Sequence, residues 1–389
     1  MKKIVLAYSG GLDTTCCVKW LQERGYEVVC FSADLGSEFS PKELKTKAKS
    51  SGITKIYVKD LQSEFADSYI LPALRAGAVY QNKYVLSTAL GRPLIAKHLV
   101  DIAHKEKAGY IAHGCTGKGN DQVRIETATT LLDNKLRIIA PVREWELKSR
   151  EEEIAYVRKH KLPLKITKEK IYSIDKNIWG ISVEGGKLED LDNEPPENSF
   201  YFVKPAEKVR DRVCYVSIKF DNGVPVALNG KKASFLSMIK SLNKLGADMG
   251  IGRTDLVEDR VVGIKSREIY EAPAAWLLHY AHNELESLTL DRQTQMLKKE
   301  IASQYAWLVY QGLWFTQIKR AMDAFIDVTQ ESVTGEITMK LYKGQISVAK
   351  REAKNPLYKK EFATYGAGDK FKQEYSEGFI RLMSMPYSK

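Results

Sequence analysis

The strongest constraint on the fold is a repeated alternation over residues 1–165, where short apolar runs are separated by amphipathic stretches of helical period. Residues 4–8, 28–31, 56–58, 110–112 and 138–139 are predicted strands, and 13–24, 41–50, 60–76, 93–107 and 122–132 predicted helices. A strand, helix, strand order joins parallel neighbours, because a crossover needs a helix's length of chain to bring it back to the starting end. The expectation is therefore an α/β domain built on a doubly wound parallel sheet, with ligands at the carboxyl ends of its strands.

The alternation weakens after His160. A polar loop with Pro195 and Pro196 follows, and Asp221-Asn222-Gly223 between 214–220 and 224–228 signals a hairpin. Predicted helices at 272–286 and 290–310, and a second hairpin around Lys343-Gly344, complete an α+β domain over 166–365. The tail, 366–389, ends in a short helical stretch with Phe379, Ile380 and Leu382 apolar. Too small to bury these itself, it is expected to pack on another subunit as an oligomerisation helix.

With 389 residues and 44% hydrophobic content the chain can form two ordinary cores, which excludes wholesale disorder. Its five cysteines, Cys16, Cys17, Cys30, Cys115 and Cys214, form neither a disulfide framework nor a metal knuckle, which suits a reducing, cytoplasmic setting. The apolar start breaks at Ser9 before a signal sequence is complete, and no later stretch is long enough to span a bilayer. The net charge of +11 suits either a nucleic-acid partner or a protein that handles nucleotides and small carboxylates.

Ser9-Gly10-Gly11-Leu12-Asp13-Thr14-Thr15 leaves the first strand and opens a helix that Asp13 or Thr14 is expected to cap. Phosphate binding needs this arrangement: glycines admit an anion to the backbone, successive N–H groups form a concave donor nest, and the helix end adds a favourable field. Ser9, Thr14 and Thr15 add hydroxyls, and Asp13 either turns away or meets magnesium carried on the phosphates. Neither G-x-x-x-x-G-K-[ST] nor a strand-borne G-x-G-x-x-G is present. A second glycine loop, His113-Gly114-Cys115-Thr116-Gly117-Lys118-Gly119, runs into Asn120, Asp121 and Arg124. An amide, a carboxylate and a guanidinium together match the ammonium and carboxylate of an amino acid. His279 and His282 lack a further histidine or cysteine nearby and are expected to be solvated or to cap the core, so no protein-held metal is predicted. Trp307, Trp314 and Phe315 are read as core or subunit contact.

Ser-Gly-Gly-x-Asp-[Ser/Thr] after a first strand resembles the signature of the ATP pyrophosphatases, which cleave between the α and β phosphates. Taken with Tyr84, Gly91-Arg92-Pro93, the loop from His113 to Arg124, Gly250-Ile251-Gly252-Arg253, Val257-Glu258-Asp259-Arg260 and the run Gly263 to Pro273, the chain resembles the argininosuccinate synthases along nearly its whole length. The resemblance implies an adenine nucleotide α-hydrolase-like first domain, a synthetase domain and a homotetramer in arginine biosynthesis. ATP adenylates the ureido oxygen of citrulline, and the amine of aspartate then displaces AMP. By position, Ala7, Tyr8, Ser9, Gly10, Gly11, Leu12, Asp13, Thr14, Thr15, Ala33 and Gly114 would hold ATP with Mg2+, and Thr116, Asn120 and Asp121 would hold aspartate. Tyr84, Thr88, Ala89, Asn120, Arg124, Ser173, Ser182, Glu258 and Tyr270 would hold citrulline, with Asp13, Asn120, Asp121 and Arg124 central to the chemistry. The chain departs from the pattern at Ser37, Ser87 and Ala89, the last replacing a hydroxyl residue. No nucleic-acid or membrane partner is expected. An RNA-modifying enzyme sharing the loop would be expected to show a cysteine pair or a basic appendage, and a noncatalytic sensor to have lost Asp13, Asn120 or Arg124, yet all three are present.

Overall fold

The structure, a computed structural model, describes residues 2–37, 40–162 and 171–388. The expected boundary at 165/166 lies outside the described residues. β1 (Lys2–Ala7), β2 (Tyr26–Asp34), β3 (Lys55–Asp60), β4 (Tyr110–Ala112) and β5 (Arg137–Ile139) form a parallel sheet in the order β3-β2-β1-β4-β5. Helices cover both faces, so consecutive β1 residues Ile4, Val5 and Leu6 are all fully buried, the mark of a central parallel strand. The chain moves outward from β1 through β2 to β3 and then crosses to β4 on the other side. Leu6 pairs with Ala112, so the loops that leave β1 and β4 emerge side by side at the switch point.

The helix expected at 93–107 is longer, Ser87–Glu106, and carries Pro93 inside it. Proline forfeits the hydrogen bond to the Ala89 carbonyl, but Thr88, Ala89, Leu90 and Leu94 are buried, and tertiary packing holds the extra turn.

Beyond the linker come β6 (Ser173–Asn177), β7 (Gly180–Glu184), β8 (Cys214–Asp221), β9 (Val224–Leu228), β10 (Lys231–Lys232), β11 (Arg253–Asp259), β12 (Lys265–Glu271), β13 (Gly335–Tyr342) and β14 (Gln345–Ala353). They make two antiparallel sheets, β10-β9-β8-β13-β14 and β11-β12-β7-β6. Both expected hairpins are present, and each turn has left-handed backbone at its central pair, φ 49° and 74° at Asn222-Gly223 and 44° and 82° at Lys343-Gly344. The expected long helices are Pro273–Thr289 and Arg292–Tyr310. The four-stranded sheet and the helices Arg150–Lys159, Phe235–Asp248 and Gln317–Gln330 were not foreseen.

Helix Ser87–Glu106 joins the halves of the molecule. The β6–β7 turn reaches its start, where Asn177 Nδ2 donates to the Ser87 carbonyl at 2.8 Å and Trp179 Nε1 to the Val85 carbonyl at 2.9 Å. In the tail, helix Glu374–Ser384 leaves Phe379, Ile380 and Leu382 exposed.

Candidate active site

Gly10 sits at φ +74°, left-handed backbone that favours glycine, and a Cβ there would lie 2.5 Å from Leu44 Cδ1 and push that side chain aside. Gly11 is the N-cap of helix Leu12–Glu23, and neither Asp13 nor Thr14 serves as the cap, contrary to expectation. The cap carbonyl accepts from Thr15 N–H, which leaves the N–H groups of Leu12, Asp13 and Thr14 without helical acceptors. Ser9 Oγ accepts from Gly11 N–H at 3.3 Å and lies 3.1 Å from Thr14 Oγ1. Thr15 is buried and donates to the Gly11 carbonyl at 2.7 Å, so its hydroxyl shapes the loop from behind. The loop thus presents backbone donors and two hydroxyls, the chemistry of an anion site. Glu153, from helix Arg150–Lys159, hydrogen-bonds Asp13; burial, then the Asp13 charge, pushes its acid up to about 8.

The second loop touches the first. A Cβ at Gly114 would fall 3.1 Å from Thr14 Cγ2 and 3.6 Å from Cys17 Sγ. His113 Nδ1 accepts from Cys115 N–H at 3.2 Å, which puts the ring proton on Nε2, 2.9 Å from Glu126. Gln122 donates to the Gly119 carbonyl at 3.3 Å and accepts from Arg143 at 2.7 Å, closing the loop on its own helix. Thr116 and Lys118 remain exposed at its tip, and Ala33 stands near the carboxyl end of β2.

The remaining residues meet on one face of the four-stranded sheet. Ser173 pairs with Glu184, Asp175 with Ser182, Ser182 with Tyr270, Glu184 with Glu268 and Glu258 with Ser266, so all of these side chains share a face by the two-residue period. The opposite face buries Ile181, Val183 and Ile269 against Tyr172 and Leu188. The polar face meets helix Ser87–Glu106: Thr88 Oγ1 lies 3.2 Å from Ser182 Oγ, and Arg92 bridges Asp175 and Asp121.

Glu258, 1% exposed, is held by three donors. It accepts from Tyr270 OH at 2.6 Å, Tyr310 OH at 2.9 Å and Asn120 Nδ2 at 3.3 Å. Arg124, one turn beyond Asn120, donates to the Tyr310 carbonyl at 2.9 Å and to Asp121 at 3.3 Å, with its guanidinium 4.7 Å from the centre of the Tyr310 ring. Burial alone would raise the Asp121 acid, but the Arg92 and Arg124 charges hold it below the ordinary range. Asp121, expected to meet a substrate ammonium, is therefore flanked by two guanidiniums. Tyr84 stacks on Tyr270 with centroids 4.3 Å apart, and its hydroxyl accepts from the N–H groups of Thr88 and Ala89 at 3.0 and 3.1 Å. A cleft of about 690 Å³, lined by Lys118, Ser173, Glu184 and Arg260 among others, opens beside this cluster.

The sequence that builds this site matches a known family. Family models described as "Arginosuccinate synthase N-terminal HUP domain" and "Arginosuccinate synthase C-terminal domain" match residues 3–163 and 172–389. Proteins named argininosuccinate synthase from Caldanaerobacter subterraneus and Carboxydothermus hydrogenoformans are each 51% identical, covering 99% of this chain and 94% and 96% of theirs. The chain belongs to the argininosuccinate synthase family. Two solved structures, a predicted tRNA methyltransferase subunit from Methanocaldococcus jannaschii and a 4-thiouridine synthetase bound to RNA and ATP, overlap 41% of the chain at 14% and 17% identity, with TM-scores of 0.29 and coverage of 75% and 40% of their own chains. That overlap is too slight to bear on function.

Within an argininosuccinate synthase, two of the three departures noted above have local explanations. Ala89 is fully buried and contributes through its N–H on Tyr84, while Thr88 supplies the hydroxyl next to it. Ser87 is buried too, and a Cβ on Gly180 would lie 3.3 Å from its own, so the glycine on the facing strand makes room for it. The structure gives no account of Ser37. Burial pushes the Cys115 thiol up to about 12, which argues against thiolate chemistry at that loop. His282 lies 2.7 Å from Gln330 Oε1, and burial lowers the His279 pKa to about 3. Sequence reasoning gave no role to Arg92, Asp175, Glu184, Arg260, Glu268 or Tyr310. Half of them carry a readable signal: Ser173/Asp175, Ser182/Glu184 and Glu268/Tyr270 are polar residues two apart, a strand's polar face.

Proposed function

We propose that the protein ligates citrulline and aspartate to argininosuccinate, consuming ATP and releasing AMP and pyrophosphate through a citrullyl-adenylate. The observation that carries this reading is the continuity of the two sites: Gly114 packs on Thr14 of the anion loop, and six residues later Asn120 bonds Glu258 of the polar sheet face. A nucleotide's phosphates and an amino acid held on that face would thereby meet.

The phosphates lie over the free N–H groups of residues 12–14, with Ser9 and Thr14 adding hydroxyl donors. The Asp13 carboxylate stands beside this nest, an oxygen donor that suits magnesium on the nucleotide. Arg124 pairs with the carboxylate of citrulline. Tyr84, whose oxygen already accepts two N–H groups, keeps its proton to donate. Glu258, Ser173 and Ser182 hold ammonium or ureido nitrogens, and Thr116, Asn120 and Asp121 hold aspartate. The ureido oxygen then attacks the α-phosphorus as pyrophosphate leaves; the aspartate amine adds to the activated carbon, losing a proton, as AMP leaves. Catalysis of this kind is positioning together with stabilisation of developing charge. The functional unit is a cytoplasmic homotetramer, a reading supported by the apolar tail.

The test is pyrophosphate and AMP release with ATP, magnesium and both amino acids. AMP release that does not require citrulline and aspartate together would sink the proposal. In Arg124→Ala the KM for citrulline is expected to rise about 10- to 100-fold, the worth of a charge-assisted pair, with ATP affinity nearly unchanged. Equal loss of ATP binding would displace Arg124 from the citrulline site.

A further inference from the structure

Two buried carboxyls converge on one phenol. Tyr270 OH lies 2.6 Å from Glu258 Oε2 and 3.0 Å from Glu268 Oε2. A phenol has one proton to donate, so the second contact is a hydrogen bond only if that carboxyl brings a proton of its own. Glu258 is surrounded by donors, Tyr310 and Asn120 besides Tyr270, so it needs no proton of its own to hold these contacts. Glu268 is placed differently. Its cationic partner Arg260, at 3.1 Å, also pairs with Glu184, the residue directly opposite Glu268 in the sheet register. Two carboxyls, Glu184 and Glu268, thus share the Arg260 guanidinium, with Glu258 beside them on the polar side of β7, β11 and β12 and Tyr84 stacked behind Tyr270. Burial, then repulsion from Glu258 and Glu184, pushes the Glu268 acid well above the carboxyl range, with Arg260 opposing it.

We propose that Glu268 is a neutral carboxylic acid in the ligand-free protein and donates its proton to the Tyr270 oxygen, so that the Tyr270 hydroxyl is aimed at Glu258 and one carboxylate, not two, waits for the substrate nitrogen. Glu268 is a positioning residue, acting on citrulline through Tyr270 and Glu258. Its role at that site rests on the function proposed above; its protonation does not.

The first experiment is infrared difference spectroscopy of the ligand-free protein near neutral pH, wild type minus Glu268→Gln. A positive carbonyl band of a protonated carboxylic acid is expected in the difference spectrum, because Glu153 contributes equally to both proteins and cancels. A flat carbonyl region in the difference would overturn the proposal. Kinetics give the second readout. Glu268→Gln, whose amide can donate the same hydrogen bond, is expected to keep the citrulline KM within about threefold, and Glu268→Ala to raise it about tenfold, with the KM for ATP unmoved in both. If Gln is as damaging as Ala, the donated proton is not what positions Tyr270. A wild type that shows the band but no citrulline turnover would refute the proposed function and leave the protonation assignment standing.

Discussion

At the residue scale, Gly10 and Glu153 differ in what the sequence discloses. Gly10 needs no partner to be recognised, because a glycine pair after a strand already points to backbone that side chains avoid. Glu153 is one of three glutamates in a row, and nothing in Glu151-Glu152-Glu153 marks it out until helix Arg150–Lys159 packs it against Asp13. That contact has a consequence for pH. A carboxyl whose acid is near 8 in the fold and near 4.5 when unfolded binds its proton preferentially in the native state. Its contribution to stability therefore falls as pH rises from about 4.5 to about 8, and is constant beyond. Glu153→Gln is expected to melt with the parent near pH 4 and above it near pH 9; a gap independent of pH would show that Glu153 does not titrate there.

At the element scale, local pattern served where a strand is buried on both faces or a hairpin turn carries Asn-Gly or Lys-Gly. It failed at the four-stranded sheet, whose inward face is polar and whose apolar face is covered by Tyr172, Leu188 and Phe200 outside the regular strands. With the usual sense of inside and outside reversed, β6, β7, β11 and β12 resemble polar loops. The helix at the end of the chain is the opposite case: its apolar residues are obvious in sequence, yet the fold leaves them exposed. An isolated helix of 11 residues is marginal in water, so its order calls for a surface to dock on. Truncation after Tyr365 is expected to lower the sedimenting mass of the proposed tetramer to that of a smaller species without loss of cooperative unfolding. An unchanged mass would remove the tail from the subunit contact.

At the scale of the whole molecule, the decisive joint is where the β6–β7 turn meets the start of helix Ser87–Glu106. Trp179, 1% exposed, fills that joint and bonds the Val85 carbonyl, while Ile178 N–H bonds the Leu35 carbonyl at 2.8 Å. Trp179→Ala removes a large buried side chain and orphans a carbonyl, a loss of about 3–5 kcal/mol. Urea denaturation measures it directly, and a change under about 1 kcal/mol would mean that the joint is held elsewhere. Because this joint also seats Thr88 against Ser182, the KM for citrulline should rise in the same variant.

The parallel sheet, its two glycine loops and the family they belong to follow from the sequence alone, because period, turn chemistry and motif order are written within a few neighbouring residues. The charge state of the site does not. Asp121 between Arg92 and Arg124, and Glu258 and Glu268 sharing Tyr270, depend on strand register and on a helix packed across a long stretch of chain. A carboxyl's chemistry is set by its neighbours in space and by the loss of water around it, and both exist only once the chain has folded.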